Sequence, residues 1–251
     1  MAVVRSDRIG VPTGLNERRV LAWLWSCADD ALAGRVVWSV ASLPDGHAAG
    51  RRLRELLHDS IEVAPLGVEA TGPSAKLARQ LDAMLTGVPS PGSLGAAARA
   101  AYAHGAEVAE AGLGGRVRPG DVVILHDCFT VSLATALRDR GAHAIWHLRR
   151  RSATRPPCVR EAVDFLDRGG GGAVDAVVID ERRAIDGAEL VTAFLPAARF
   201  LDIREVSRGG DAARAGRVAL AWASLLGDIV EEDRADHVGG TIQVRPVVAA
   251  R

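Results

Sequence analysis

The segment Asp121–Leu125 (DVVIL) most constrains what this chain can fold into. It is a short, nearly continuous apolar run, entered through Pro119-Gly120 and left through His126-Asp127. Such a run has no polar face to offer solvent, so it reads as a strand covered on both sides. Arg35–Ser42 (RVVWSVAS), Ala144–Leu148 (AIWHL) and Ala173–Ile179 (AVDAVVI) repeat the pattern, and Ile61–Pro65 and Phe200–Ile203 read as shorter extended pieces. Helix-period stretches lie between and around them: Arg18–Leu32, His47–His58, Ser74–Leu85, Leu94–Ala111, Thr130–Arg140, Val159–Asp167, Ile185–Phe194 and Ala212–Glu231. Gly34 and Gly141 are placed as helix stops, and Ser74 as an N-cap. Strands alternating with helices predict an α/β chain built on a single Rossmann-like, doubly wound parallel sheet. That domain is expected over residues 1–239, with 240–251 as an extended tail suited to strand addition onto a partner.

Composition then removes several classes of function. Lys+Arg (31) balances Asp+Glu (31), so no basic excess exists to hold a phosphate backbone, and nucleic acid is not expected as a partner. Cys27, Cys128 and Cys158 are odd in number and widely spaced, which gives neither a disulfide framework nor a CxxC metal pair. The histidines His47, His58, His104, His143 and His237 lack metal-ligand spacing. No bound cofactor or metal is therefore expected. The first residues, MAVVRSDRIGVPTG, lack the apolar core of a signal peptide, and no run reaches the ~20 apolar residues a bilayer requires. A cytoplasmic protein without a membrane segment is the expectation.

In doubly wound sheets, ligands sit at the carboxyl ends of the strands. That rule selects the loop at Gly14 and Asn16 ahead of the first helix, His126-Asp127 after DVVIL, and Trp146-His147-Leu148-Arg149 at the end of the next strand. His126 and Asp127 can hydrogen-bond sugar hydroxyls or exchange protons, which makes them the catalytic candidates. The competing reading is that Asp127 caps the following helix while His126 packs against its neighbours. Arg149 and Arg151, within an arginine run, can grip a phosphate or carboxylate, or can form a solvated loop. Trp146 beside His147 offers a stacking wall, or is core. Cys128 reads as a small buried residue rather than a nucleophile.

Gly120–Asp127 (GDVVILHD), followed by an apolar helix and Ala144–Arg149 (AIWHLR), resembles the N-terminal half of retaining GT-B glycosyltransferases, nearest to glycosyltransferring trehalose synthases and trehalose-6-phosphate synthases. Glu161–Leu166, Val174–Ile179 and the earlier stretch Val36–Gly87 look like further pieces of that family. The resemblance implies one half of a GT-B fold. His126 and Asp127 would contact sugar, Trp146, His147 and Arg149 would line the cleft, and Gly14 would stand near donor phosphates. The chain departs from the family in three ways. The Gly-Gly loop is reduced to Thr13-Gly14-Leu15, Trp-Arg-x-His becomes Trp146-His147-Leu148-Arg149, and the chain ends before a second Rossmann domain would fit.

Three functions follow as expectations. The first is a sugar-handling, glycosyltransferase-like enzyme resembling the acceptor-side half, completed by a nucleotide-sugar-binding partner chain or by a homodimer. The second is an enzyme of another reaction type acting on a small polar or sugar-phosphate substrate in the same cleft. The third is a non-catalytic module that binds a sugar or a partner.

Overall fold

The computed structural model describes residues 26, 28, 30–57, 61–90, 92, 94–148, 157–179, 199–202, 218–219 and 221–231. Six parallel strands form one sheet: β1 (Val37–Ala41), β2 (Val63–Gly67), β3 (Val122–Leu125), β4 (His143–Leu148), β5 (Ala176–Ile179) and β6 (Arg199–Asp202). Their order is β2-β1-β3-β4-β5-β6. The chain therefore winds outward from β1 to β2, then returns past β1 and builds the other side from β3 onward. The reversal falls between β1 and β3, and this is where such sheets open a crevice.

The helices are α1 (Pro44–Leu57), α2 (Gly72–Leu85), α3 (Ala96–Leu113), α4 (Ala134–Asp139) and α5 (Pro157–Arg168), with a further helical segment over 221–231. Alternation along the strands divides the interior into two layers. Val123, Leu125, Ala144, Trp146 and Val177 face a core closed by α2, α3, α4 and α5 through residues such as Leu81, Leu113, Leu137 and Leu166. Val122, Ile124, Ile145 and Val178 face a second core, closed by α1 through Leu53 and Leu57 and by the last helix through Trp222 and Leu226. The sheet is thus covered on both faces, as the apolar strand runs require.

Most boundaries moved only by a few residues. The α1 helix starts at Pro44, ahead of the expected His47, because proline is well suited to a first helical turn. Ser74 lies inside α2 rather than at its cap: Thr71 is the N-cap residue, and the Ser74 hydroxyl donates to the Thr71 carbonyl at 2.7 Å. The stretch Thr130–Arg140 divides into a 3-10 turn over Thr130–Leu133 and the short α4. Gly141 ends α4 at φ 73°, a left-handed conformation that favours glycine. Ile185–Phe194 and the tail 240–251 lie outside the described residues.

The central pair of strands is fastened at its amino end by Asp121, a buried carboxylate. Its oxygens accept from the Val36 N–H, the Trp38 indole Nε1 and the Arg118 N–H, each at 2.9 Å. Replacing Asp121 by alanine strands these donors where water reaches them poorly, and an unsatisfied buried polar group costs on the order of 1–3 kcal/mol. Asp121→Ala is therefore expected to lower unfolding free energy by about 2–4 kcal/mol, read as a fall in the urea midpoint at unchanged slope.

Candidate functional site at the sheet switch point

The carboxyl end of β3 carries Leu125, His126 and Asp127, and each turns to a different task. Leu125 enters the first core. His126 turns to the opposite side, and Asp127 reaches sideways to the loop that leaves β1.

One Asp127 oxygen, Oδ2, accepts from the backbone N–H groups of Ser42 at 2.7 Å and Leu43 at 3.0 Å. The other, Oδ1, accepts from Phe129 at 3.2 Å and Thr130 at 2.9 Å. The Thr130 hydroxyl donates to the Asp127 carbonyl at 2.9 Å, completing a local turn. Burial pushes the Asp127 carboxyl up from its ordinary value, while the backbone N–H groups of Ser42, Leu43, Thr130 and Phe129 pull it back. The carboxylate therefore fixes two loops that start from neighbouring strands, β1 and β3, and holds the opening of the 3-10 turn. This is the capping role weighed for it in the sequence, extended across the switch point.

His126 stands in a polar row crossing three adjacent strands. Its Nε2 lies 2.9 Å from the Ser39 hydroxyl of β1, and its Nδ1 lies 3.0 Å from His147 Nδ1 of β4. Ser39, His126 and His147 are all buried. The Trp222 ring meets His147 edge-on, with centroids 5.4 Å apart.

Each contact in the row needs one proton, which couples the tautomers. If His126 Nδ1–H donates to His147, then His126 Nε2 accepts from Ser39, and His147 carries its proton on Nε2. If His147 Nδ1–H donates instead, His126 Nε2–H donates to Ser39, and His147 Nε2 becomes an acceptor. Shifting protons along the row thus converts His147 Nε2 between donor and acceptor, which is the property a proton-exchanging group needs.

Helix α1 lies close over this row because two of its residues lack side chains. A Cβ on Gly46 would stand 2.8 Å from Asp127 Oδ2 and 3.2 Å from Ala41 Cβ. One on Gly50 would collide with the Ser39 hydroxyl and lie 3.3 Å from the His126 ring. Ser39, Gly46 and Gly50 are not among the site residues expected from the sequence. Their signals were a lone hydroxyl in an apolar strand and a pair of glycines one helical turn apart.

The row opens at the sheet edge into a cleft of about 30 Å³, room for about one or two waters. His126, Asp127, Trp146 and His147 all line it, joined by Asp45 and Asp82. Trp146 and His147 both border the cleft, but as strand neighbours they point to opposite faces, and Trp146 takes the core position weighed as its alternative. Trp146 is 1% exposed and packs in the first core, whereas His147 belongs to the polar row. Gly14, Asn16, Arg149 and Arg151 lie outside the described residues. Among the described residues, no group of three or more His, Cys, Asp or Glu is placed to hold a metal, and no helix is long and apolar enough to cross a membrane.

Cys128 is buried, and its thiol donates to the Ala78 carbonyl at 3.1 Å. Burial, followed by the Asp127 and Asp82 charges, pushes this thiol well above its ordinary range. It has the inert surroundings expected of a packing residue.

Fold and site together define an α/β protein with a Rossmann-like parallel sheet and a polar row at its switch point. No protein-family model and no curated protein matches the chain.

Two measurements check this geometry. In Asp127→Asn, whichever way the amide is turned, its NH2 group faces two N–H donors. The substitution is expected to cost about 2–4 kcal/mol in urea unfolding. The second is alkaline. The buried Tyr102 phenol donates to the Cys128 carbonyl at 2.9 Å, and burial, then the Cys128 and Asp127 charges, push it well above 10.0. Tyr102 and Cys128 ionise more readily unfolded than folded, so the stability they protect is complete below their unfolded values. It is lost as pH rises through their folded ones. The melting temperature should fall between about pH 8 and about pH 11, and the Tyr102→Phe variant should fall less steeply.

Proposed function

We propose that this chain is a sugar-handling enzyme of the retaining GT-B type, corresponding to the acceptor-side half and completed by a partner chain or a second copy. The observation that carries the reading is the hydrogen-bonded row Ser39–His126–His147, set at the switch point and opening into the cleft. A sugar presents hydroxyls that both donate and accept, and the imidazole and hydroxyl groups of this row are of the same two-way kind. The parallel sheet with helices on both faces agrees with the Rossmann-like half that the GDVVILHD and AIWHLR motifs imply.

In this reading the two catalytic candidates separate. His126 and His147 supply proton exchange and hydroxyl recognition. Asp127 is a positioning residue, since both its oxygens already hold backbone N–H groups. The cleft is too small to enclose a sugar ring by itself, so the sugar rests over its mouth and a second surface covers it. Retaining transfer requires a closed, water-excluding site, which explains the need for a partner.

The engagement of Asp127 favours a second reading, a non-catalytic sugar-binding module. The same experiment separates the two. Wild-type chain, His147→Gln and Ser39→Ala are titrated calorimetrically with glucose, glucose 6-phosphate and UDP-glucose. The proposal predicts that glucose or glucose 6-phosphate binds. It also predicts that His147→Gln weakens binding about tenfold, the ~1.4 kcal/mol of one lost hydrogen bond. Transfer activity appearing with a nucleotide-sugar-binding partner supports the enzyme, and binding without transfer supports the module. Tight binding of UDP-glucose by the chain alone contradicts the split architecture. Absence of sugar binding, or binding indifferent to His147, rejects both readings.

A further inference from the structure

A second hollow lies away from the switch point, between α3 and α5, and shares no residue with the cleft beside His126. Its volume is about 620 Å³, within the range of small-molecule sites. The sequence explains why it exists. Along α3, Arg99 and Tyr102 are followed by Ala103 and Ala106 on the same face, where larger residues would fill the space. Beyond the end of α5, Gly169 permits a close approach to the Tyr102 ring, since a Cβ there would stand 2.6 Å from it.

The floor is aromatic and anchored. The rings of Tyr102 and Phe165 meet edge to face, with centroids 5.4 Å apart and planes at 71°. The Tyr102 hydroxyl is tied to the Cys128 carbonyl, so the ring cannot swing into the hollow. The charges on the walls are arranged asymmetrically. Asp164 and Arg168 of α5 pair with each other at 2.9 Å and cancel. Arg99 on the α3 wall makes a bond of 3.4 Å to the Leu94 carbonyl, leaving most of its guanidinium face available. Glu161 stands on the α5 wall, exposed. A cation on one wall and an anion on the other therefore flank an aromatic floor.

We propose that this hollow binds a small zwitterion with an apolar ring, of the aromatic amino-acid type. Arg99 receives the carboxylate in bidentate fashion, Glu161 receives the ammonium, and the ring lies against Tyr102 and Phe165. The wall charges face solvent, so they select more than they tighten, and binding is in the micromolar-to-millimolar range. The site is independent of the sugar reading and stands or falls without it.

The test uses the full chain and three probes followed by NMR titration: L-phenylalanine, phenylacetate (the carboxylate alone) and phenethylamine (the amine alone). L-phenylalanine is expected to bind several-fold more tightly than either fragment. Arg99→Ala should weaken L-phenylalanine and phenylacetate while leaving phenethylamine unchanged, and Glu161→Gln should do the reverse for the two fragments. Ala106→Leu, which fills the hollow, should abolish binding of all three. The Arg99 and Glu161 substitutions are on the surface and leave the fold intact, so they decide the matter even where Ala106→Leu disturbs packing. Failure of L-phenylalanine to bind, equal binding by Arg99→Ala and wild type, or tighter binding of either fragment than of L-phenylalanine overturns the proposal.

Discussion

The Asp127 carboxylate is the interaction on which the upper edge of this sheet depends. Parallel strands have no hairpin to join them, so the loops leaving β1 and β3 must be registered by something other than the chain itself. Asp127 does this by taking two N–H groups from each loop. Asp121 performs the corresponding task at the amino end of the same strand pair. β3 is thus a short apolar strand with a carboxylate beyond each end, and both carboxylates tie it to β1. Once the two strands are locked, Ser39 and His126 are brought together, and His126 meets His147 across the next pairing.

This arrangement also bears on which ligands suit the fold. In doubly wound sheets the turn after the first strand commonly points backbone N–H groups at a phosphate. Here the corresponding N–H groups of Ser42 and Leu43 are already held by a carboxylate of the chain itself. An internal anion stands where an external one would bind. Beside the cleft's Asp45 and Asp82, the switch point carries imidazole and hydroxyl groups that can both donate and accept. That suits a hydroxyl-bearing ligand better than a nucleotide phosphate.

The architecture was largely legible because apolar runs report burial directly. DVVIL, AIWHL and AVDAVVI are almost wholly apolar and became strands of the sheet; RVVWSVAS did too, despite Ser39 and Ser42. The position of His126-Asp127 at a carboxyl edge followed from the same logic. What could not be read was the direction of side chains relative to their neighbours across the sheet. Trp146 and His147 adjoin in sequence, which suggested a shared wall, but strand alternation sends them to opposite layers. Ser39 is one polar residue in a largely apolar run, and only the pairing of β1 with β3 places it beside His126. Gly46 and Gly50 likewise acquire meaning only when α1 is laid over the row. The hollow between α3 and α5 depends on which alanines face one another in space, and helical periodicity alone does not give that.

The central claim is that the Ser39–His126–His147 row is a connected proton path facing a sugar. Long-range nitrogen–proton NMR of imidazole-labelled protein tests it most directly, since it reports which ring nitrogen carries each proton. The account predicts one shared proton between the two Nδ1 atoms, and a change in the His147 Nε2 signal as glucose 6-phosphate is added. Two independent imidazoles with no proton between them, or spectra that ignore the sugar at saturation, would contradict it.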